Sequence, residues 1–108
     1  MSHPSKVKGN TFEREIVDLA KQHGLDAQRA WGSNGRALGY TEEVDCLIEN
    51  QKIQAKRRKK IADYMKPCVH VDVQVIRGDR EEALAILRYS DYLEMLSKIK
   101  QLTTINQI

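Results

Sequence analysis

Near the start of the chain, Phe12, Ile16, Leu19, Ala20 and His23 recur at i, i+4, i+7, i+8 and i+11, a spacing that predicts one amphipathic helix. Asn10 is placed as its N-cap, Glu13 three residues later completes a capping-box pattern, and Gly24 supplies the stop. The pattern then turns strand-like. Val44, Cys46, Leu47 and Ile48 suit a strand, Asn50-Gln51 suits a two-residue turn, and Ile53 opens a second short strand. Val69, Val71, Val73 and Val75 alternate with polar residues, and Gly78-Asp79 marks a turn before the apolar run 83–87. Residues 61–65 suggest a short helix ended by Pro67, and Ser90 reads as N-cap of a last helix with the stripe Tyr92, Met95, Leu96, Ile99 and Leu102. The predicted order is helix, three strands, connection, two strands, helix: an α/β domain with a mixed β-sheet flanked by helices. Residues 1–7 read as a flexible tail on a single domain, 1–108.

The first hairpin carries the chemistry. A turn at Asn50-Gln51 sets Leu47 opposite Gln54 and Asp45 opposite Lys56, so Asp45, Gln54 and Lys56 project from one face. Phosphodiester hydrolysis needs a hard cation, held by oxygen ligands, to offset developing charge and activate water. Asp45 offers a carboxylate, Gln54 an amide oxygen and Ala55 its backbone carbonyl. Lys56 supplies a compact positive charge for the water or the transition state. The same residues also suit an ordinary edge strand with a solvated face. Glu13 lies beside the buried helical stripe, where its carboxylate can lean toward Asp45, and the capping role is compatible with that placement.

With both segments in view, the chain resembles the archaeal-type Holliday junction resolvases of the PD-(D/E)XK nuclease superfamily. The resemblance rests on Lys8, Gly9, Glu13, Arg14, Glu15 and Ile16 at the helix start, then Gly24, Arg29, Gly32 and Ser33, then Asp45 and Lys56 on the hairpin. It implies a restriction-endonuclease-like core. It also implies Mg²⁺, with Mn²⁺ as a substitute, bound through Glu13, Asp45 and Gln54, with Lys56 assisting the attacking water. Two departures stand out: Gln54 occupies a position where the family usually carries glutamate, removing one negative charge, and the loop from Gly32 to Glu42 is longer than its counterpart. The expected activity is a metal-dependent endonuclease selective for branched or Holliday-junction DNA. The alternatives are a nicking or restriction-like nuclease on ordinary duplex, and a catalytically silent DNA-binding module.

A net charge of +3 is weak support for a nucleic-acid partner, but its distribution adds to it. Lys56, Arg57, Arg58, Lys59 and Lys60 follow one another directly after the candidate site, where they can track a phosphate backbone. Lys8, Arg29, Ser33 and Arg36 complete the expected DNA-binding set, and Trp31 suits either the core or a base stack. Cys46 and Cys68 have no zinc-ligand spacing and read as reduced, partly buried thiols. With 108 residues the core is small, which favours a homodimer burying further apolar surface. The start of the chain lacks a signal-peptide pattern and no segment approaches transmembrane length, so a protein that is cytoplasmic, or located with the DNA of the host cell, and without a membrane partner is expected.

Overall fold

The computed structural model describes residues 4–30 and 39–106. Helix α1 spans Pro4–Gln22. It is followed by strands β1 (Ala27–Arg29), β2 (Cys46–Ile48) and β3 (Gln51–Ile53), a single 3₁₀ turn at Asp63–Met65, strands β4 (Val73–Ile76) and β5 (Leu84–Leu87), and helix α2 (Tyr89–Asn106). The order of elements is the predicted one. Their pairing is not: among the described residues the strands form two separate antiparallel sheets, β1-β2-β3 and β4-β5, in place of one mixed sheet. β2 and β3, joined by a two-residue turn, can pair only antiparallel, since parallel neighbours require a longer crossover.

The start of α1 also differs from expectation. The helix begins at Pro4, so Gly9 and Asn10 lie within it, and Asn10 is not its cap. Proline suits the first helical position because its φ is already helical and its missing N–H would have had no partner there. Of the expected tail, residues 4–7 therefore belong to the helix, and residues 1–3 lie outside the described residues. The stop is the predicted one. Gly24 takes φ +77°, its N–H donates to the Lys21 carbonyl at 2.9 Å, and the Leu25 N–H reaches back to Ala20 at 3.1 Å. This is a Schellman closure, sealed by burial of both Leu25 and Ala20.

Ile16, Val17 and Ala20 of α1 pack with Leu25, Cys46, Ile48 and Leu93 to form the core. The predicted stripe on α2 is rotated by about one residue. Leu93 is fully buried, whereas Met95 and Ile99 are 50% and 58% exposed. The inward face continues through Ser97 and Lys100, whose side chains donate to the carbonyls of His23 (3.3 Å) and Gly24 (3.1 Å). Half of that face is polar, which hides it from a reading of apolar spacing alone. The N-terminus of α2 is set by the chain leaving β5: the Asp91 and Tyr92 N–H groups both donate to the Arg88 carbonyl, at 3.0 and 3.1 Å, so Ser90 lies inside the first turn. Tyr89 then anchors α2 to α1 through its hydroxyl, which donates to the Ile16 carbonyl at 2.7 Å.

The second sheet is shorter than the alternating valines suggest. Val71 donates back to Cys68 in a turn, and Arg88 donates to the carbonyls of Val71 (3.0 Å) and Cys68 (2.9 Å). Those carbonyls are satisfied by a side chain, so no strand forms before Val73. Within β4 the valines face outward and Gln74 and Ile76 are the more covered pair.

Leu93→Ala is expected to cost about 2–5 kcal/mol in urea denaturation, as for a truncated fully buried leucine. A loss below about 1 kcal/mol would show that α2 does not pack in this phase.

Candidate catalytic centre

The hairpin of β2 and β3 turns one residue earlier than expected. Glu49 and Asn50 occupy the turn with φ of 46° and 68°, and the register is Cys46↔Ile53, Leu47↔Lys52 and Ile48↔Gln51. Positive φ at both central residues is the type I′ arrangement, which matches the twist of paired strands and favours asparagine. Glutamate is unusual there, and here it is tied down. Its N–H donates to the Asp26 carbonyl at 2.8 Å, and its carboxylate accepts from the Asp26 N–H at 2.6 Å and from Lys100 Nζ at 3.1 Å. The Asp26 N–H, with help from Lys100, holds the Glu49 carboxyl below its ordinary range.

The shifted register changes the surroundings of Asp45. Asp45 no longer stands opposite Lys56. Its N–H donates to the Ile53 carbonyl at 2.8 Å, although Cys46 is the Cα partner of Ile53. Two residues of one strand thus face one of the other, the pattern of a β-bulge, which re-aims a side chain. The re-aimed Asp45 Oδ2 accepts the Ala55 N–H at 2.7 Å. Ala55 therefore meets Asp45 through its amide. Gln54 and Lys56 lie beyond the end of β3, with exposed side chains.

Glu13 is buried, at 5% exposure, on the inner face of α1 one turn before Val17. Arg29, across the sheet from Cys46, brings its Nε to 3.7 Å from Glu13 Oε1, and its Nη2 lies 3.4 Å from Asn10 Oδ1. Asn10 thus serves the site from inside the helix. Burial first, then the charges of Glu13 and Asp45, push the Cys46 thiol up to about 12, with Arg29 opposing. The structure therefore brings Glu13 together with Arg29, sets Arg29 opposite Cys46, ties Asp45 to Ala55, and leaves Gln54 and Lys56 on the exposed chain on either side of Ala55. Glu13 at three and four residues before Ile16 and Val17 was the available signal for its inward face. No spacing announced Arg29 as its neighbour, because that pairing is made across the fold.

Among the described residues no group of three histidine, cysteine or acidic side chains could hold a metal ion. The side-chain oxygen donors named from the sequence are the buried Glu13 carboxylate, the half-buried Asp45 carboxylate and the exposed Gln54 amide. That set fits Mg²⁺, which commonly takes one or two carboxylates and keeps waters at its remaining positions.

Of the residues expected to bind DNA, Arg57, Arg58, Lys59 and Lys60 are all exposed, and Arg58 Nη1 donates to the Arg57 carbonyl at 3.3 Å. Lys8 lies on α1. Ser33, Arg36, Trp31 and Gly32 lie outside the described residues. Lys52 places its Nζ over the Tyr40 ring at 5.2 Å, a contact not anticipated. Among the described residues no helix is long and apolar enough to cross a membrane.

The two cysteines should separate by reactivity, since Cys46 is fully buried and Cys68 is exposed. One thiol, Cys68, is expected to react with an alkylating reagent in the native protein, and Cys46 only on unfolding. The unfolded Cys46 thiol ionises near 9.0 and the folded one near 12, so the unfolded state releases its proton first and stability falls as pH rises across that window. Mass mapping of the labelled residues checks the first point, and a shallower alkaline slope in Cys46→Val checks the second, the raised Tyr89 hydroxyl keeping part of it. No family model matches the chain, and comparisons with curated proteins and with solved structures find no match.

Proposed function

We propose that the chain is a Mg²⁺-dependent DNA endonuclease with a restriction-endonuclease-like core, acting on branched DNA such as Holliday junctions. The observation that carries this reading is the carboxylate of Glu13 buried in the core, with Asp45 re-aimed by the bulge before β2 onto the Ala55 N–H, next to an exposed lysine-arginine run. When bound, Mg²⁺ supplies charge neutralisation and an acidified water. In this reading Glu13 and Asp45 hold the cation, the Gln54 amide oxygen and the Ala55 carbonyl complete the donors, and the Ala55 N–H fixes the Asp45 carboxylate. Lys56 stands next in the chain, on the exposed side from which a phosphate would approach. Its ammonium stabilises charge on the scissile group. Arg57 to Lys60 bind the backbone on either side of that point, sequence-independently.

A second reading is favoured by the same segment: Gln54 is exposed and uncharged, which suits a DNA-binding module without catalysis. Incubation with Mg²⁺ and a four-way junction, a nicked duplex and a linear duplex separates the two. Cleavage is expected for the junction, and Asp45→Asn and Lys56→Ala are each expected to lower it by about 10²-fold or more with binding retained. Cleavage that persists unaltered in either variant contradicts the site. Arg57→Ala combined with Arg58→Ala is expected to weaken binding to every DNA shape and to reduce the log-log salt slope by roughly one for each phosphate that is no longer neutralised. An unaltered slope would reduce the run to solvated surface.

This reading has the protein acting as a homodimer. Met95, Ile99, Leu102 and Ile105 stay exposed along α2, as do Val73, Val75 and Leu84 on the second sheet. The radius of gyration, 15.8 Å, exceeds the roughly 13 Å of a compact chain of this length. Covering that apolar surface with a second copy would supply burial the isolated chain lacks. Sedimentation should give a dimer that Ile99→Lys converts to monomer; a monomeric parent protein contradicts this.

A further inference from the structure

We infer that Arg29 is a built-in stand-in for the cation: its guanidinium occupies the charge-balancing place beside Glu13 that a divalent ion takes on binding, so the two compete for that carboxylate. The inference rests on the metal-dependent reading above and assigns a positioning role to a residue otherwise expected only to touch phosphate. Arg29 is delivered to the place by its register, since β1 pairs Arg29 with Cys46 and the following Ala30 N–H donates to the Asp45 carbonyl at 2.8 Å. Its side chain is 25% exposed against 7% for Glu13, so it enters from the surface while the carboxylate stays inside.

The contacts are those of a loosely held ion. A firm arginine-carboxylate pair makes hydrogen bonds of about 2.7–2.9 Å, often two in parallel. Here the Nε approaches Oε1 only to 3.7 Å, and Nη2 is 3.4 Å from Asn10 Oδ1. The Nε is sealed from solvent, yet among the described residues it has no hydrogen-bond partner. The guanidinium therefore contributes charge at the site without the forked geometry that would lock it there. A hard cation binds carboxylate oxygens at about 2.0–2.1 Å, and two positive groups so close repel. Entry of the ion thus turns Arg29 outward, past the quarter of its surface already open. The freed guanidinium is then available to a substrate phosphate, so cation and anionic ligand strengthen each other's binding.

Calorimetric titration with Mn²⁺ in the absence of DNA tests the competition without relying on cleavage. Arg29→Met keeps the length and removes the charge, and it should bind Mn²⁺ about tenfold tighter than the parent protein, while Arg29→Lys stays near the parent. Equal or weaker binding by Arg29→Met, or tightening in both variants alike, overturns the inference. Should Arg29→Met fail to fold, the Arg29 Nε–H resonance of the parent protein gives the answer: Mg²⁺ should shift it and speed its exchange with water, and a resonance unmoved at saturation overturns the inference. A parent protein that binds no Mn²⁺ sinks the metal-dependent reading together with this one. Mn²⁺ binding that Glu13→Gln removes and Arg29→Met leaves unchanged sinks this one alone.

Discussion

A carboxylate inside the core is the constraint around which this small domain is arranged. Glu13 sits at 5% exposure between the apolar residues of α1 and the sheet, and a charge so placed costs several kcal/mol unless neighbouring groups offset it. Arg29 enters from the facing strand to do so, and Asn10 supports Arg29 from the same helix face as Glu13. A hydrophobic residue at position 13 would pack there with less penalty. A charged group in that place adds nothing to packing, and it is the reason the proposed function is centred on Glu13.

The position of Asp45 depends on groups far from it in sequence. The Glu49-Asn50 turn fixes which residues of β2 and β3 face one another, and a one-residue displacement of that turn moves the partner of Asp45. Glu49 holds its left-handed backbone because Asp26 and Lys100 secure its carboxylate. Lys100 belongs to α2 and also donates to the Gly24 carbonyl at the end of α1. One lysine on the last helix therefore ties together the first helix, the strand entry and the tip of the hairpin. Each of these contacts is modest, and their common effect is register.

Most of the element order was legible from the sequence, because helical and strand periodicities are local properties of the chain. Gly24 ends α1 as expected, since a left-handed C-terminal residue follows from glycine's own stereochemistry. Asn10 and Ser90 were misleading, because a capping side chain acts only where the helix begins, and Pro4 and the end of β5 set those points earlier. The phase of α2 was misread because Ser97 and Lys100, both polar, serve its inner face. The inward face of Glu13 and the place of Asp45 at the mouth of the hairpin were legible from pattern. Their relation to Arg29 and Cys46 was not, since it arises from an antiparallel register that composition does not encode.

The central claim is that Glu13 and Asp45 together bind a divalent cation beside Cys46. Anomalous diffraction from crystals grown with Mn²⁺ tests it most directly. The account predicts a single strong peak within coordination distance, about 2.0–2.3 Å, of one carboxylate oxygen from each residue, with Arg29 turned away from Glu13. A peak elsewhere on the surface, or none at Mn²⁺ concentrations that support DNA cleavage, would contradict it.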